Sequence, residues 1–438
     1  MKPIQFVAAI LLAVACFNLP AQIKRTSIPI GDAVSKALAK GSITGEGARS
    51  FHIRVEVSEP ENPQSPYRGS FEEWWVSPDQ WRREVRDIEG LHQTIVTSGA
   101  KKTEKDEGDY FPVWLRNFVT AVFDPIPAAS QWAGSDLMIE QTFLPNGAKS
   151  DACARKVGKL GSEGRDSKVY FNVCFDEEGR LKFIGSPSYS MEFHDYRGFG
   201  KKQIARELTD DPESGTKLVG KLTVLEEMAK VKDQADLFAV LPSDEDRFKE
   251  VQVNAETLER LTAGSPAIVW PTVHSGNTRG REAIYISVDT TGRVREAWPL
   301  NSDNGGVDDS VRDQVRKWTV KPAIDQSGKR VQVDGGLSFS FETRIADPLP
   351  ELSDAEIRQL ATKIVEPVFP PGSVKSGQVL EVDVSVDEHG QLAGANFHGL
   401  EAGAVFALDD AIKKWTFLPL MRNGKAQYFH GTVKFVAP

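Results

Sequence analysis

The stretch RKWTVKPAIDQSGKRVQV, residues 316–333, decides the fold of the last third of the chain, because a weaker copy, KKWTFLPLMRNGKAQYFH, returns at residues 413–430. Both copies contain Lys-Trp-Thr, then a proline, then a turn with Gly-Lys. An internal repeat of this kind predicts two structural units of the same architecture.

An alternating strand precedes each copy, AIYISVDTTGRV before the first and EVDVSVDEHGQL before the second. Both strands run into Ser-Val-Asp-x-x-Gly, with Asp289 and Gly292 in the first copy and Asp387 and Gly390 in the second. Asp followed by Gly between alternating apolar residues predicts a hairpin turn, because glycine tolerates positive φ.

A helix is predicted between each hairpin and the quoted stretch. Apolar residues recur at i, i+4 and i+7, which places them on one helix face, and a proline then ends the helix. Hairpin, helix and closing strand make a small α+β sandwich of about 70–90 residues. The predicted core anchors are Val311, Val315, Trp318 and Pro322 in the first copy and Leu408, Ile412, Trp415 and Pro419 in the second.

Most of the chain before the repeats shows the period of two that is typical of strands, separated by Gly, Pro, Asp and Ser. One interruption, YFPVWLRNFVTAVF, has Val113, Phe118 and Val122 at near-helical spacing. Many strands with one apolar helix predict an antiparallel β half-barrel with a packed helix. The fold class predicted for the whole chain is therefore α+β.

The 438 residues are predicted to divide into three domains, a number that suits a chain of this length. The predicted boundaries are 1–22 for a signal peptide, 23–240 for the half-barrel, 241–265 for a linker, 266–343 for the first repeat domain, 344–362 for a second linker and 363–438 for the second repeat domain.

In its order of features the repeat resembles the TonB C-terminal domain. The matching residues are Ser-Val-Asp-x-x-Gly, Val311-x-x-x-Val315-x-Lys317-Trp318, Pro322-Ala323 and Gly328-Lys329-Arg330-Val331, followed in the second copy by Leu408, Ile412, Trp415, Pro419 and Gly424-Lys425. The resemblance implies an exposed strand edge that pairs with a peptide from an envelope protein partner. Energy transduction is disfavoured, because no membrane anchor and no Pro-rich spacer are predicted.

The stretch GSFEEWWVSPDQWRREV resembles the periplasmic lipoprotein-carrier superfamily, whose half-barrel holds an acyl chain under a helix. The resemblance implies an apolar cavity. The alternative is that the same side chains fill the core of a curved sheet. The candidate cavity residues are Phe71, Trp75, Phe111, Trp114 and Phe118.

The first residues, MKPIQFVAAILLAVACFNLPAQ, have the layout of a cleaved signal peptide, which predicts a periplasmic or secreted protein. Processing as an outer-membrane lipoprotein at Cys16 is a poorer match, because Phe17 follows the cysteine and Ala13 stands where a larger aliphatic residue is usual. No other stretch is apolar over the roughly 20 residues that a transmembrane span needs. The net charge of −9 argues against a nucleic-acid partner.

Two of the three cysteines, Cys153 and Cys174, lie in predicted strands joined by a polar turn. In an oxidising compartment this pair predicts a disulfide across a hairpin. The alternative, a redox-active pair, lacks Cys-x-x-Cys spacing.

The seven histidines have no metal-ligand spacing, and there is no nucleophile elbow and no phosphate-binding loop. The sequence thus predicts a non-enzymatic protein without a cofactor. The principal interpretation is a periplasmic adaptor that docks envelope partners through its repeat domains. The alternative is a carrier of a lipid or another apolar ligand in the half-barrel, and the two differ because a carrier needs an apolar cavity.

Overall fold

The computed structural model describes residues 24–126, 129, 132, 137–143, 151–160, 167–186, 189–210, 217–230, 236–242, 249–274, 276–346, 350–369, 373–397, 400, 402–422 and 424–437. Contacts group these residues into two compact units. The first contains the chain up to Trp270 together with Arg279–Phe341, and the second contains Pro271–Thr278 together with the chain from Glu342 onward. The predicted signal peptide and Cys16 lie outside the described residues, and the predicted domain boundaries stay a prediction.

An eleven-stranded antiparallel sheet, called here the large sheet, dominates the first unit. Its strand order is β6-β5-β4-β3-β2-β13-β12-β11-β10-β9-β8, and a separate pair is formed by β1 and β7. The elements are β1 Lys24–Pro29, α1 Ile30–Gly41, β2 Phe51–Ser58, β3 Gly69–Ser77, β4 Gln80–Asp87, β5 His92–Ser98, β6 Lys101–Glu107, α2 Val113–Phe123, β7 Met138–Phe143, β8 Ala152–Leu160, β9 Ser167–Phe175, β10 Leu181–Ser186, β11 Tyr189–Phe199, β12 Lys202–Asp210 and β13 Leu218–Glu227.

One face of the large sheet is covered by α1 and α2. On β2 the residues Phe51, Ile53, Val55 and Val57 are buried, and the residues between them are more exposed, as the period of a strand requires. Eight of the eleven residues of α2 are buried, because the helix lies in the core that both helices share with the sheet. The predicted packed helix is therefore present.

Two glycines of the large sheet lie directly beneath α2. A Cβ built on Gly220 of β13 would lie 2.6 Å from Cδ1 of Phe118, and one on Gly69 of β3 would lie 3.1 Å from atoms of Trp114 and Leu115. A strand glycine often marks a place where another element approaches closely. The absence of a side chain at these positions lets the helix rest against the backbone of the sheet.

The first repeat, called here repeat one, also belongs to the first unit. It consists of β14 Glu250–Gln252, α3 Ala255–Thr262, β15 Arg279–Val288, β16 Val294–Ser302, α4 Asp308–Val315, β17 Ala323–Ile324 and β18 Arg330–Glu342. Its strand order is β14-β18-β15-β16, with β17 on β18, and β14 runs parallel to β18.

The second repeat, called here repeat two, lies in the second unit and has the same strand order. It consists of β19 Glu351–Leu352, α5 Asp354–Leu360, β20 Ala361–Lys363, β21 Val379–Val386, β22 Leu392–Phe397, α6 Ala402–Ile412, β23 Thr416–Phe417, β24 Leu420–Arg422, β25 Lys425–Gln427 and β26 Phe429–Val436. The main sheet is ordered β19-β26-β21-β22, again with a short parallel strand beside the last strand.

Both segments treated as linkers in the sequence analysis, 241–265 and 344–362, contain a short strand and a helix of the repeats. Leu258 of α3 and Ile357 of α5 are fully buried. The side chain of Asn254 accepts the N–H of Thr257 at the start of α3, and Ser353 opens α5 with a capping box. Each repeat thus begins with a strand and a capped helix.

The Asp-x-x-Gly turns have the same geometry in the two repeats. Gly292 and Gly390 have φ of 93° and 79°, and a Cβ on either would lie about 2 Å from a backbone oxygen of the segment after the tryptophan. That segment donates back to the turn, because the N–H of Val320 bonds Gly292 O at 2.7 Å and the N–H of Phe417 bonds Gly390 O at 3.0 Å. Only glycine fits this position.

The helices of the repeats are shorter than predicted. They end at Val315 and Ile412, so Trp318 and Trp415 lie in a turn whose N–H groups bond the carbonyls of these two residues. The tryptophans are buried nonetheless, as are the helix anchors Val311, Val315, Leu408 and Ile412. The two prolines, which were expected to end the helices, lie several residues beyond them and are half-buried.

Candidate functional site

The five residues proposed to line a cavity all lie in the core of the first unit. Phe71, Trp75, Phe111, Trp114 and Phe118 are at most 7 % exposed and belong to one apolar cluster with α1, α2 and the large sheet. The space expected for a ligand is therefore filled by the side chains of α2. Whether these side chains line a ligand site stays a prediction.

A narrow crevice remains where α1, α2 and strands β10–β12 meet. It has a volume of about 30 Å³, roughly that of a single water molecule. Apolar side chains form most of its wall, and Arg180 and Tyr196 lie among them; the apolar lining includes Leu38, Ala121, Val122, Ile126, Leu181, Phe193, Ile204 and Leu208. An acyl chain would fit there only if a helix moved.

A buried ion pair interrupts the apolar face that α2 covers. Arg83 donates from Nε to Glu73 Oε2 at 2.6 Å, and Glu73 is 1 % exposed. The guanidinium lies 3.9 Å from the ring of Phe123, the last residue of α2. Burial raises the pKa of Glu73 and outweighs the opposing effect of Arg83.

The start of α2 is capped by a carboxylate from repeat one. Pro112 at the N-cap has no side-chain hydrogen bond, and Glu296 of β16 takes over this function. Its carboxylate accepts the N–H of Val113 at 2.7 Å and of Trp114 at 3.3 Å, and the hydroxyl of Tyr110 at 2.6 Å. A negative charge is favourable at this end of a helix.

Further polar side chains connect the same turn to repeat one. The amide of Gln332 accepts the N–H of Phe111 and donates to its carbonyl, both at 2.9 Å. Arg116 of α2 pairs with Asp334 at 2.6 Å and also with Glu250 of β14. Asp334 is fully buried and also accepts the hydroxyl of Ser287 at 2.5 Å.

Burial shifts the ionisation of this cluster. Burial raises the pKa of Glu250 to about 7, although Arg116 opposes the shift. Burial likewise raises the pKa of Glu296, against the hydrogen bonds from Tyr110 and Val113. The pKa of Arg116 is also raised, because the attraction of Asp334 and Glu250 outweighs burial.

Another buried carboxyl lies elsewhere in repeat one. Glu282 of β15 is fully buried, and burial raises its pKa to about 8, with the carboxylates of Asp308 and Asp303 adding to the shift. Like charges held close together disfavour ionisation.

Repeat one has a groove along one edge of its sheet. The groove has a volume of about 490 Å³, and its wall includes Trp270, Trp318 and Phe339. Beside it, β14 pairs with β18 only at Gln332–Asp334; among the named strands of the described residues none continues this pairing beyond Asp334, although Ser338 on the same edge has an interaction of its own. The groove, which mixes aromatic with polar side chains such as Arg281 and Ser340, therefore runs beside the last strand of repeat one.

The equivalent edge of repeat two is closed by side chains of α5. The N–H of Lys434 donates to Asp354 Oδ1 at 2.9 Å, and its carbonyl accepts from Arg358 Nη2 at 2.7 Å. The first helical residue after the N-cap is Asp354 in repeat two but Ala255 in repeat one.

The predicted disulfide is present. Cys153 and Cys174 are bonded with a Cα–Cα distance of 4.1 Å, and they face each other directly in the antiparallel register of β8 and β9. The bond joins neighbouring strands near one end of the large sheet.

One histidine has an environment that the sequence pattern does not indicate. His52 stacks on Trp74 with ring centroids 5.2 Å apart, and its two nitrogens contact Glu72 at 2.6 Å and Glu226 at 3.1 Å. Burial opposes protonation, but these two hydrogen bonds outweigh it and raise the pKa of His52. Within the described ranges, no group of three or more His, Cys, Asp or Glu residues is placed to hold a metal ion.

No protein-family model and no curated protein sequence matches the chain. Among solved structures, the chain has a partial likeness to a LolA superfamily protein from Nitrosomonas europaea, with 9 % identity and a TM-score of 0.25 over 46 % of this chain and 94 % of that one. A DUF1329 family protein from Desulfovibrio piger gives 8 % identity and a TM-score of 0.20 over 47 % of this chain and 94 % of that one. None of the helices in the described residues is long and apolar enough to cross a membrane.

Sequence reasoning did not find the residues that hold α2. The available signal was a break in pattern, because Gln332 and Asp334 are polar residues within an alternating strand and yet are fully buried. The residues that bond each other in this contact are far apart in the chain; Tyr110, for example, is 186 residues from Glu296. A single sequence does not reveal such a pairing.

Proposed function

We propose that the first unit binds an apolar chain, such as the acyl chain of a lipid, between α2 and the large sheet, and that the structure corresponds to its closed form. The proposal rests on one observation: the face of the large sheet that the helices cover is apolar across β2, β3 and β10–β12. Binding sites for small apolar molecules are concave and lined mainly by apolar side chains. The protein is then a periplasmic carrier and not an enzyme.

The crevice beside α2 gives the position from which such a site would open. Its lining is shared by α1, the last turn of α2 (Ala121 and Val122) and the sheet, so an outward movement of α2 would enlarge it. The apolar surface uncovered in this way would have to be covered again by the ligand, because exposing it to water is unfavourable. This requirement favours a ligand with a long hydrocarbon chain.

Native mass spectrometry of the protein purified from the periplasm, with solvent extraction of any bound molecule, tests the proposal. A stoichiometric acyl-chain compound is expected. In a second measurement, cis-parinaric acid is titrated into the delipidated protein and into Ala121→Phe, which fills the crevice. Ala39→Phe, on an exposed position of α1, is the matched control. Equal binding by all three proteins, or by none, would contradict this site.

The strand edge of repeat one supports a second candidate function, the docking of an extended peptide. An added strand would pair with β18 at Gly336 and Ser340, whose backbone groups face the same side as those of Gln332 and Asp334, and it would have to accommodate the interaction that Ser338 between them already makes. Aromatic side chains of the groove would hold the side chains of the peptide. The capped edge of repeat two does not support the same use.

Photo-crosslinking in cells tests the docking function. A benzoylphenylalanine at Ile268, in the wall of the groove, is expected to capture a discrete partner. Ser340→Pro should abolish the capture, because proline lacks the N–H that an added strand would use. A proline on the capped edge of repeat two, Lys434→Pro, should leave it intact. Capture that persists in Ser340→Pro would mean that the partner does not bind by strand addition.

A further inference from the structure

The hydrogen-bonding side chains around the first turn of α2 come from repeat one. In the described part of the chain, Glu296, Gln332, Asp334 and Glu250 bond residues 110–116, and no hydrogen-bonding side chain of the large sheet does so. The large sheet contributes apolar packing to α2, whereas repeat one contributes the polar contacts. Repeat one and the sheet thus hold the same helix by different forces.

The polar contacts between repeat one and the first turn of α2 are of a kind that can separate. Interfaces that open in solution are more polar than permanent ones, since groups that lose a protein partner can bond water instead. Gln332 and Asp334 are fully buried in the closed form and Glu296 is 7 % exposed, so removing one member of a pair without separation leaves a buried charge unpaired. The contact should therefore be either fully made or fully released.

We infer that repeat one is a latch for α2, which holds the helix over the large sheet and whose release frees the helix to move outward. The latch consists of the carboxylate of Glu296, the amide of Gln332 and the Arg116–Asp334 pair. It would regulate access to the apolar site, and in that respect the inference rests on the proposed function. A latch of this kind explains why α2, a helix with an apolar surface, starts at a buried, charged contact.

Hydrogen–deuterium exchange tests the latch without any ligand. Glu296→Gln preserves the shape of the side chain but removes its charge, and Arg116→Met breaks the second contact. Glu207→Gln, on a half-exposed position of β12 that pairs with Lys221, is the matched control. Both latch variants are expected to increase exchange of α2 amides about tenfold or more, the change that the loss of one charged hydrogen bond produces. Exchange in β11–β13 should stay slow, which would show that the sheet remains folded.

Titration with cis-parinaric acid separates the latch from the proposed function. Faster α2 exchange together with faster uptake of the probe would support both. Faster exchange with no uptake by any variant would support the latch as a conformational device and refute the binding site beneath α2. Exchange of α2 that stays at the wild-type rate in both latch variants would overturn the latch, whatever the probe does.

Discussion

The fit of α2 on the large sheet predicts that adding one methyl group at Gly220 destabilises the first unit. In Gly220→Ala the new Cβ would lie 2.6 Å from Cδ1 and 2.8 Å from Cε1 of Phe118. Phe118 is fully buried, so its ring can retreat only by moving α2 or its neighbours. The glycine has no positive φ, and the effect is therefore steric.

The magnitude follows from two opposing contributions. Overpacking a tight core costs about 1–3 kcal/mol, whereas replacing glycine by alanine lowers the entropy of the unfolded chain and gains about 0.4–1 kcal/mol. The variant should therefore lose about 1–2 kcal/mol. Gly198→Ala in β11 is the matched control, because its Cβ would meet no atom within 4 Å, and it should be neutral or slightly stabilised.

Urea unfolding followed by tryptophan fluorescence measures both variants. The expected result is a lower unfolding midpoint for Gly220→Ala than for the wild type, and an equal or higher midpoint for Gly198→Ala. Equal midpoints for the two variants would mean that α2 does not rest on β13 as closely as described. A rise in α2 hydrogen exchange confined to Gly220→Ala would identify the displaced element.

Three further predictions concern other parts of the chain. Gly390→Ala should destabilise repeat two by about 2 kcal/mol or more, because of strain at positive φ and a clash with a backbone oxygen. Gly394→Ala, which has open space around its Cβ, should not be destabilised. Equal thermal unfolding temperatures of the two variants would contradict the turn geometry. Glu282→Gln should remove one contribution to the pH dependence of stability: because the folded pKa of about 8 exceeds the unfolded value, the contribution of Glu282 to wild-type stability falls as pH rises from about 4.5 to 8. The variant should gain on the order of a few kcal/mol relative to wild type between pH 5 and 8.5, since each unit of a raised pKa corresponds to about 1.4 kcal/mol, and parallel stability curves would refute the burial of this carboxyl. Replacing Cys153 and Cys174 together by alanine should lower the free energy of unfolding by about 3 kcal/mol, the loop-closure value for a sequence separation of 21. Urea unfolding under non-reducing conditions measures this loss. Unchanged stability would count against the bond.

The sequence by itself determined the features that depend on neighbouring residues. The Ser-Val-Asp-x-x-Gly turns, the alternating strands and the apolar helix faces each follow from the preferences of a few consecutive residues, and the structure has them where they were expected. The cysteine pair was predictable because its two strands are close together in the sequence. The helix ends were not, because the turn that follows each helix buries its tryptophan without continuing the helix.

Only the tertiary structure decided what the repeats contact. The strand and helix that open each repeat look like charged linkers in sequence, and their buried positions come from pairing with strands about eighty residues later. The carboxylate that caps α2 comes from a different part of the chain, and the two side chains that bond Lys434 in repeat two, Asp354 and Arg358, belong to a helix whose counterpart in repeat one begins with Ala255. Hydrogen bonds and packing between distant residues are properties of the folded chain, and the periodicity of a sequence carries no record of which distant residue will meet which.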